Sequence, residues 1–446
     1  MDEVFASLGL APDFQTIGEG SLPSCFQVTN LAVAAYGAVG QSVAELLAAQ
    51  GLAQRPEVRV NRALASRWYG RSIYPIGWEL PPLWDAVAGL YRCKTGWIRL
   101  HTNLPHHRAA ALSVLNAAPN REAVAQAALS WRAEELETAI TRAGGVAAMM
   151  RTADGWAAHP QGQAVAQEPL IDWISPRKTT PKSWAATHAR PLNGLKVLDL
   201  TRVLAGPVAT RTLAGFGAQV LRIDPPDWEE PNVIPDVTLG KRCARLDLTQ
   251  PNDRATFEAL LSEADILVHG YRNGALEGLG YGLAERQVLN PNLIEASLNA
   301  YGWTGPWAGK RGFDSLVQMA CGIAEAGMHW AKADGPTPLP VQALDHATGY
   351  LMAAAVIKSL TAAKTGVLKN PRLSLARTAV LLMQNRQAEH GALSLQPEPS
   401  DFNLEQELTP WGSAQRLNPA LSVEGSPMRW ETPAVGLGSS AAHWRA

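Results

Sequence analysis

An α/β fold built on an open, doubly wound parallel sheet is predicted by three observations. Short apolar strands alternate with helices from about residue 191 onward, the earlier part of the chain is patterned differently, and one segment is repeated. Lys196-Val197-Leu198-Asp199-Leu200 reads as the first strand, followed by the turn Ala205-Gly206-Pro207. A helix then runs to about Gly217, with Pro207 where a first helical turn tolerates it. Gln219 to Asp224 is the next strand and ends in an acid; Arg245-Leu246-Asp247-Leu248 is the third. Asn252 to Glu263 reads as a helix after Pro251, and strands Ile266 to Val268 and Leu293 to Leu298 complete the series. Such alternation puts a ligand crevice at the carboxyl ends of the strands.

The earlier part has helical stretches at Ala32 to Ala49 and Glu122 to Ala143 and a strand-like Gly96 to His101. Pro169 to Arg190, with Pro176 and Pro181 beside Arg177, Lys178 and Lys182, reads as a linker. Laying Pro23–Arg62 over Pro338–Arg377 pairs identical residues at eight of forty positions, among them Gln27 with Gln342 and Arg62 with Arg377. Asp345 falls opposite Asn30, so only the second copy has a carboxylate there.

With 446 residues the prior is two or three domains. An apolar share of 46% against 18% charged excludes a disordered chain. Lys plus Arg number 39 against 40 Asp plus Glu, which argues against nucleic acid or an anionic membrane as partner. Cys25, Cys93, Cys243 and Cys321 lie far apart with no C-x-x-C pair, so neither a zinc knuckle nor a disulfide framework is indicated. The first residues are acidic where a signal peptide needs positive charge, and no apolar run reaches the roughly 18 residues of a membrane span. A soluble cytoplasmic protein is expected.

Several motifs in order carry a resemblance. They are Pro191 to Pro207 (PLNGLKVLDLTRVLAGP), Leu213 to Pro225, Gly240 to Leu248, Ala264 to Val268 with Tyr271 to Leu276, Asn290 to Ile294, Tyr301 to Pro306, and Gly312-Phe313-Asp314. Together these resemble the family III CoA-transferases, the CaiB/BaiF family, over about residues 190 to 380. The resemblance implies a Rossmann-like CoA-binding domain over 191–446 with a C-terminal tail, and a smaller α+β domain. Here that smaller domain resembles residues 71–175 and precedes the larger one, joined by the linker 176–190; residues 1–70 are then the degenerate repeat, packing with the large domain. Family members form interlocked dimers, so a homodimer is expected.

Exchange of CoA between two acids needs a group that accepts the acyl unit and returns it, and a carboxylate does so through a mixed anhydride. The family's nucleophilic aspartate lies in a Leu-Asp-x-x-x-Gly context, matched by Leu344-Asp345-His346-Ala347-Thr348-Gly349. The bland alternative is that Asp345 caps the apolar helix after it. The racemases of the family carry a His before the Asp of the Gly-x-Asp block; Phe313 stands there and moves no proton. His346 reads as a surface or packed side chain, and His101, His106, His107 and His269 have no metal-site spacing.

Carried over by position, the CoA contacts are Arg202, Val203 and Leu204, then Lys241 and Arg242, then Tyr271 and Arg272. The cations suit phosphate oxygens and Tyr271 offers a face to adenine. Leu204 replaces the Gln of oxalate-type transferases, and Pro225, Gly270 and Gly278 replace residues common in relatives. The resemblance implies an acyl-CoA:carboxylate CoA-transferase acting through an aspartyl anhydride and an aspartyl-CoA thioester. Acyl-CoA and a carboxylic acid are then its partners, with coenzyme A as substrate and no permanently bound cofactor or metal. An α-substituted acyl-CoA racemase and a CoA-binding protein without turnover are the rivals.

Overall fold

The computed structural model describes residues 1–388 and 391–445. A seven-stranded sheet forms the centre of a mixed α/β arrangement. In chain order its strands are β1 (Asp172–Lys178), β2 (Lys196–Leu200), β3 (Gln219–Asp224), β4 (Lys241–Arg245), β5 (Ile266–His269), β6 (Ile294–Asn299) and β7 (Val367–Ser374). They lie in the order β4-β3-β2-β5-β6-β7-β1. Neighbours are parallel throughout, except that β1 runs antiparallel to β7 at one edge.

Successive strand residues face opposite sides, and both sides are apolar. Val197, Val220 and Val268 enter one core cluster while Leu198, Leu221 and Leu267 enter another. The first cluster takes in the helices α1 (Val28–Ala49) and α2 (Ala205–Gly215); α3 (Pro251–Glu263) delivers Phe257, Leu260 and Leu261 to the second. A further helix, α4 (Ala343–Lys364), packs against α1, α2 and β7 in the first. Strands buried on both faces explain why β2 and β5 read as short apolar runs with little alternation. By length and composition α1 could cross a bilayer, but it lies in the protein core.

Four expectations are corrected. The third strand is Lys241–Arg245, not 245–248; Asp247 instead accepts the Thr249 N–H at 3.0 Å in a turn that ends it. The helix expected over 122–143 is two, Arg121–Ala128 and Ala133–Arg142. Between them the Trp131 carbonyl turns away to accept the Lys94 N–H at 2.9 Å. The stretch expected as linker begins inside β1, where Pro176 is tolerated because the strand is an edge. Helix α4 starts two residues before Asp345, so that residue lies in the first turn and not ahead of it.

A three-stranded antiparallel sheet (Gly89–Arg92, Trp97–Leu100, Ala147–Met149) with its helices encloses a separate core around Ile98, Leu136 and Ile140. The tail returns to the beginning of the chain: Gly412–Arg416 pairs with Ile73–Pro75 and Leu421–Val423 with Val58–Asn61.

Candidate active site

Residues beyond the carboxyl ends of β2, β3, β5, β6 and β7 line one cavity of about 460 Å³. Thr201 to Ala205 come from the first of these loops, Trp228 from the second, and Gly270 to Arg272 from the third. Its outer wall comes from elsewhere in the chain, with His106 and His107 from the helix Pro105–Leu115 beside the smaller sheet and Lys310 to Phe313 from the segment before Asp314. Asp345 lines it, as do Arg202, Val203, Leu204, Tyr271 and Arg272.

Asp345 is 8% exposed. It does not cap its helix. That role belongs to Asp314, whose Oδ2 accepts the backbone N–H groups of Leu344 at 2.8 Å and Asp345 at 2.9 Å. Gln318 donates its side-chain amide to the other Asp314 oxygen. The Gly-x-Asp block thus ties the start of α4 in place and sets a second buried carboxyl beside Asp345. Burial, and then the like charge of Asp314, push the Asp345 carboxyl well above the ordinary carboxylate range. Burial pushes Asp314 up to about 6 against the hydrogen bonds that favour its ionised form.

The loop after β2 is strained and fixed. Val203 has φ of 63°, a left-handed conformation costly for a β-branched residue, and its N–H donates to Glu230 at 2.9 Å. Arg202 contacts Asp224 at 3.2 Å and stacks over Trp228. We expect Val203→Gly to relieve the strain and stabilise the protein by about 1 kcal/mol, seen as a higher urea midpoint at unchanged slope.

Lys241 and Arg242 are not in this cavity. Lys241 is fully buried, its Nζ 2.9 Å from both the Asp199 carboxylate and the Pro207 carbonyl. Arg242 donates to the carbonyls of Ala441 and His443 in the tail. Among the described residues the exposed Arg272 side chain makes no hydrogen bond or ion pair, and exposed Arg311, which donates to the Gly144 carbonyl at 3.4 Å, stands near enough for the two cations to repel. Arg311 and Lys310 were missed in the sequence, though they directly precede the Gly-x-Asp block. His107 was set aside there. In the structure it is buried beside Asp345's cavity with neither ring nitrogen bonded, and burial pushes its imidazole down to about 3. Phe313 stacks on His101 at 3.9 Å, and His346 packs against Tyr69 at 4.9 Å.

Residues 192–413 match the sequence model described as CoA-transferase family III. That segment, just under half of the chain, belongs to the family. Among curated relatives, an acetyl-coenzyme A transferase of Hypoxylon pulicicidum is 34% identical over 42% of this chain and 33% of its own. A Mycobacterium tuberculosis protein named as a probable fatty acyl-CoA transferase is 33% identical over 47% of this chain and 57% of its own. An acetyl-CoA:oxalate CoA-transferase of Acetobacter aceti is 35% identical over 36% and 42%. The chain therefore spans between 33% and 57% of the length of these relatives.

Proposed function

We propose that this family III chain is an acyl-CoA:carboxylate CoA-transferase with Asp345 as nucleophile. The observation that carries the reading is the placement of Asp345, whose carboxyl has no hydrogen-bond partner among the described residues and lines a cavity at the carboxyl ends of the parallel strands. In the first step its carboxylate attacks the acyl-CoA carbonyl, giving a mixed anhydride and CoA thiolate. The thiolate then attacks the Asp345 carbonyl, giving an aspartyl-CoA thioester and releasing the donor acid, which leaves with one oxygen from Asp345. The acceptor carboxylate reverses both steps and restores the aspartate. Arg202, Val203 and Leu204 form one wall for the CoA, and Tyr271 and Arg272 the other. Arg272 and Arg311, which have no carboxylate partner among the described residues, are the cations for its phosphates, whereas Lys241 and Arg242 act on the loop and the tail.

The strand order, with helices from both core clusters on the two faces, supports a doubly wound, Rossmann-like unit. The duplication has support of its own. Helices α1 and α4 begin and end at residues that the repeat pairs, and their N-caps Gln27 and Gln342 have φ/ψ of −76°/60° and −76°/65°. Asn30, opposite Asp345, is held by Gln27 at 2.7 Å and Arg62 at 2.8 Å, so the first copy has a paired amide where the second has an unpaired acid.

The nucleophile must be ionised, and the neighbouring acid sets when that happens. The acidic limb of kcat/KM for acyl-CoA therefore lies above the ordinary carboxylate range of about 4. Replacing Asp314 by Asn removes the like charge, lowers the Asp345 pKa and moves the limb to lower pH. A pH–rate profile checks this, and an unmoved limb contradicts it.

A second reading, epimerisation at the α-carbon, is favoured by one observation: His107 brings an unbonded neutral imidazole to the cavity of Asp345. It requires deuterium wash-in from solvent at C2 of 2-methylacyl-CoA. CoA exchange without wash-in separates the two.

A further inference from the structure

A second cavity, about 660 Å³ in volume, meets the first at Leu204, which lines both. Asp345 faces one cavity and the next residue, His346, faces the other. Its walls are largely apolar, from Ile73, Leu80, Trp84, Leu339 and Val341. Exposed Arg71 and Leu83 stand at its mouth. The single carboxylate in its wall among the described residues, Asp236, is already satisfied by Arg211 and by Ser72, whose N–H and hydroxyl donate at 2.9 and 2.6 Å.

Arg99 is the exception in this wall. It is 8% exposed, comes from the middle strand of the small sheet, and its side chain forms no hydrogen bond or ion pair with any described residue. Its guanidinium lies 4.5 Å from the Trp84 ring centroid and within electrostatic reach of Asp314. Burial lowers its pKa only to about 10, so it stays charged at neutral pH. Three further polar atoms of lining residues are also unbonded: Tyr69 Oη, Ser315 Oγ and His346 Nδ1. A buried cation without a partner is costly, and an anion supplied by a ligand removes that cost.

We propose that this cavity binds the acceptor, a monocarboxylic acid with an apolar chain, and that Arg99 is the group that holds its carboxylate. The proposal rests on the transferase reading for the word acceptor, but not for the binding itself. An apolar body with one anionic end matches apolar walls around one unpaired guanidinium. A doubly charged phosphate of CoA fits it less well, since one buried guanidinium leaves half of that charge unbalanced between largely apolar walls. Arg99 also explains a use for the small domain, which supplies the charge that the α/β unit lacks at this point.

Calorimetric titration with butyrate, octanoate and phenylacetate tests this, with 1-octanol as the uncharged control and CoA as a second ligand. The parent protein is expected to bind at least one acid. Arg99→Gln should weaken that binding about 10- to 100-fold, and Arg99→Lys should restore part of it. Binding of 1-octanol and of CoA should not weaken in either variant. Because an unpaired buried charge is removed, Arg99→Gln should melt no lower than the parent. Equal acid binding by parent and Arg99→Gln overturns the proposal, as does the absence of binding by every acid in the panel, or a loss confined to CoA. Asp345→Asn keeps the two claims apart. Arg99-dependent acid binding without exchange for any acyl-CoA leaves the acid site standing and removes the transferase reading. Asp345-dependent exchange with an acid KM indifferent to Arg99 does the reverse.

Discussion

Asp345→Asn is expected to bind CoA like the parent and to lose exchange of label between free acid and acyl-CoA by about a thousandfold or more. The amide preserves shape and removes the attacking oxygen. A cap or packing residue would not behave this way, and the helix-capping bonds at this point come from Asp314. The same variant has a stability signature of definite sign. An unfolded aspartate titrates at about 4, whereas burial and Asp314 hold folded Asp345 well above that. The folded state then binds the proton more tightly, and stability falls as pH rises from the unfolded value through the folded one. Asparagine carries no such charge. Asp345→Asn should therefore melt higher than the parent at pH 8 and close to it at pH 4, opposite to what loss of a structural acid gives.

Lys241→Ala is expected to cost about 3–5 kcal/mol of stability, because it leaves Asp199 ionised in the core without its cation. Asp199 otherwise accepts from Thr201 and Thr210, both at 2.6 Å. Burial opposes its charge, but Lys241, Arg222 and these hydroxyls outweigh burial and keep its pKa low. The network fixes the loop from Thr201 to Pro207 against β4. Replacing both residues, Asp199→Leu with Lys241→Met, should recover part of the loss. Urea denaturation measures each term, and a Lys241→Ala protein of parental stability with lowered CoA affinity would return this lysine to the phosphate-binding set.

These two residues also mark how far the sequence is readable. The strands of the sheet are short runs of Val, Leu and Ile between turn residues, so β2, β3, β5 and β6 fall within a residue or two of where the pattern puts them. The pattern fails at β4 because Lys241 and Arg242 look like exposed cations. One is neutralised by Asp199 across the sheet and the other donates to backbone carbonyls of a tail about 200 residues away. Asp345 was legible because its local motif survives intact. Asp314 was visible as a motif but its work was not, since a cap formed from 31 residues away leaves no local trace. His107, Arg99 and Arg311 were illegible as a group. They reach the two cavities only through packing of the small domain and the 308–313 segment against the sheet, and no spacing in the chain encodes that.

The decisive measurement is the mass of the proteolytic peptide containing Asp345 after incubation with an acyl-CoA and rapid quenching. Covalent catalysis by Asp345 predicts that this peptide gains CoA with loss of one water, and that in ¹⁸O-labelled protein the released donor acid carries one labelled oxygen. Exchange that proceeds with the peptide unmodified, or with the adduct on another residue, contradicts it.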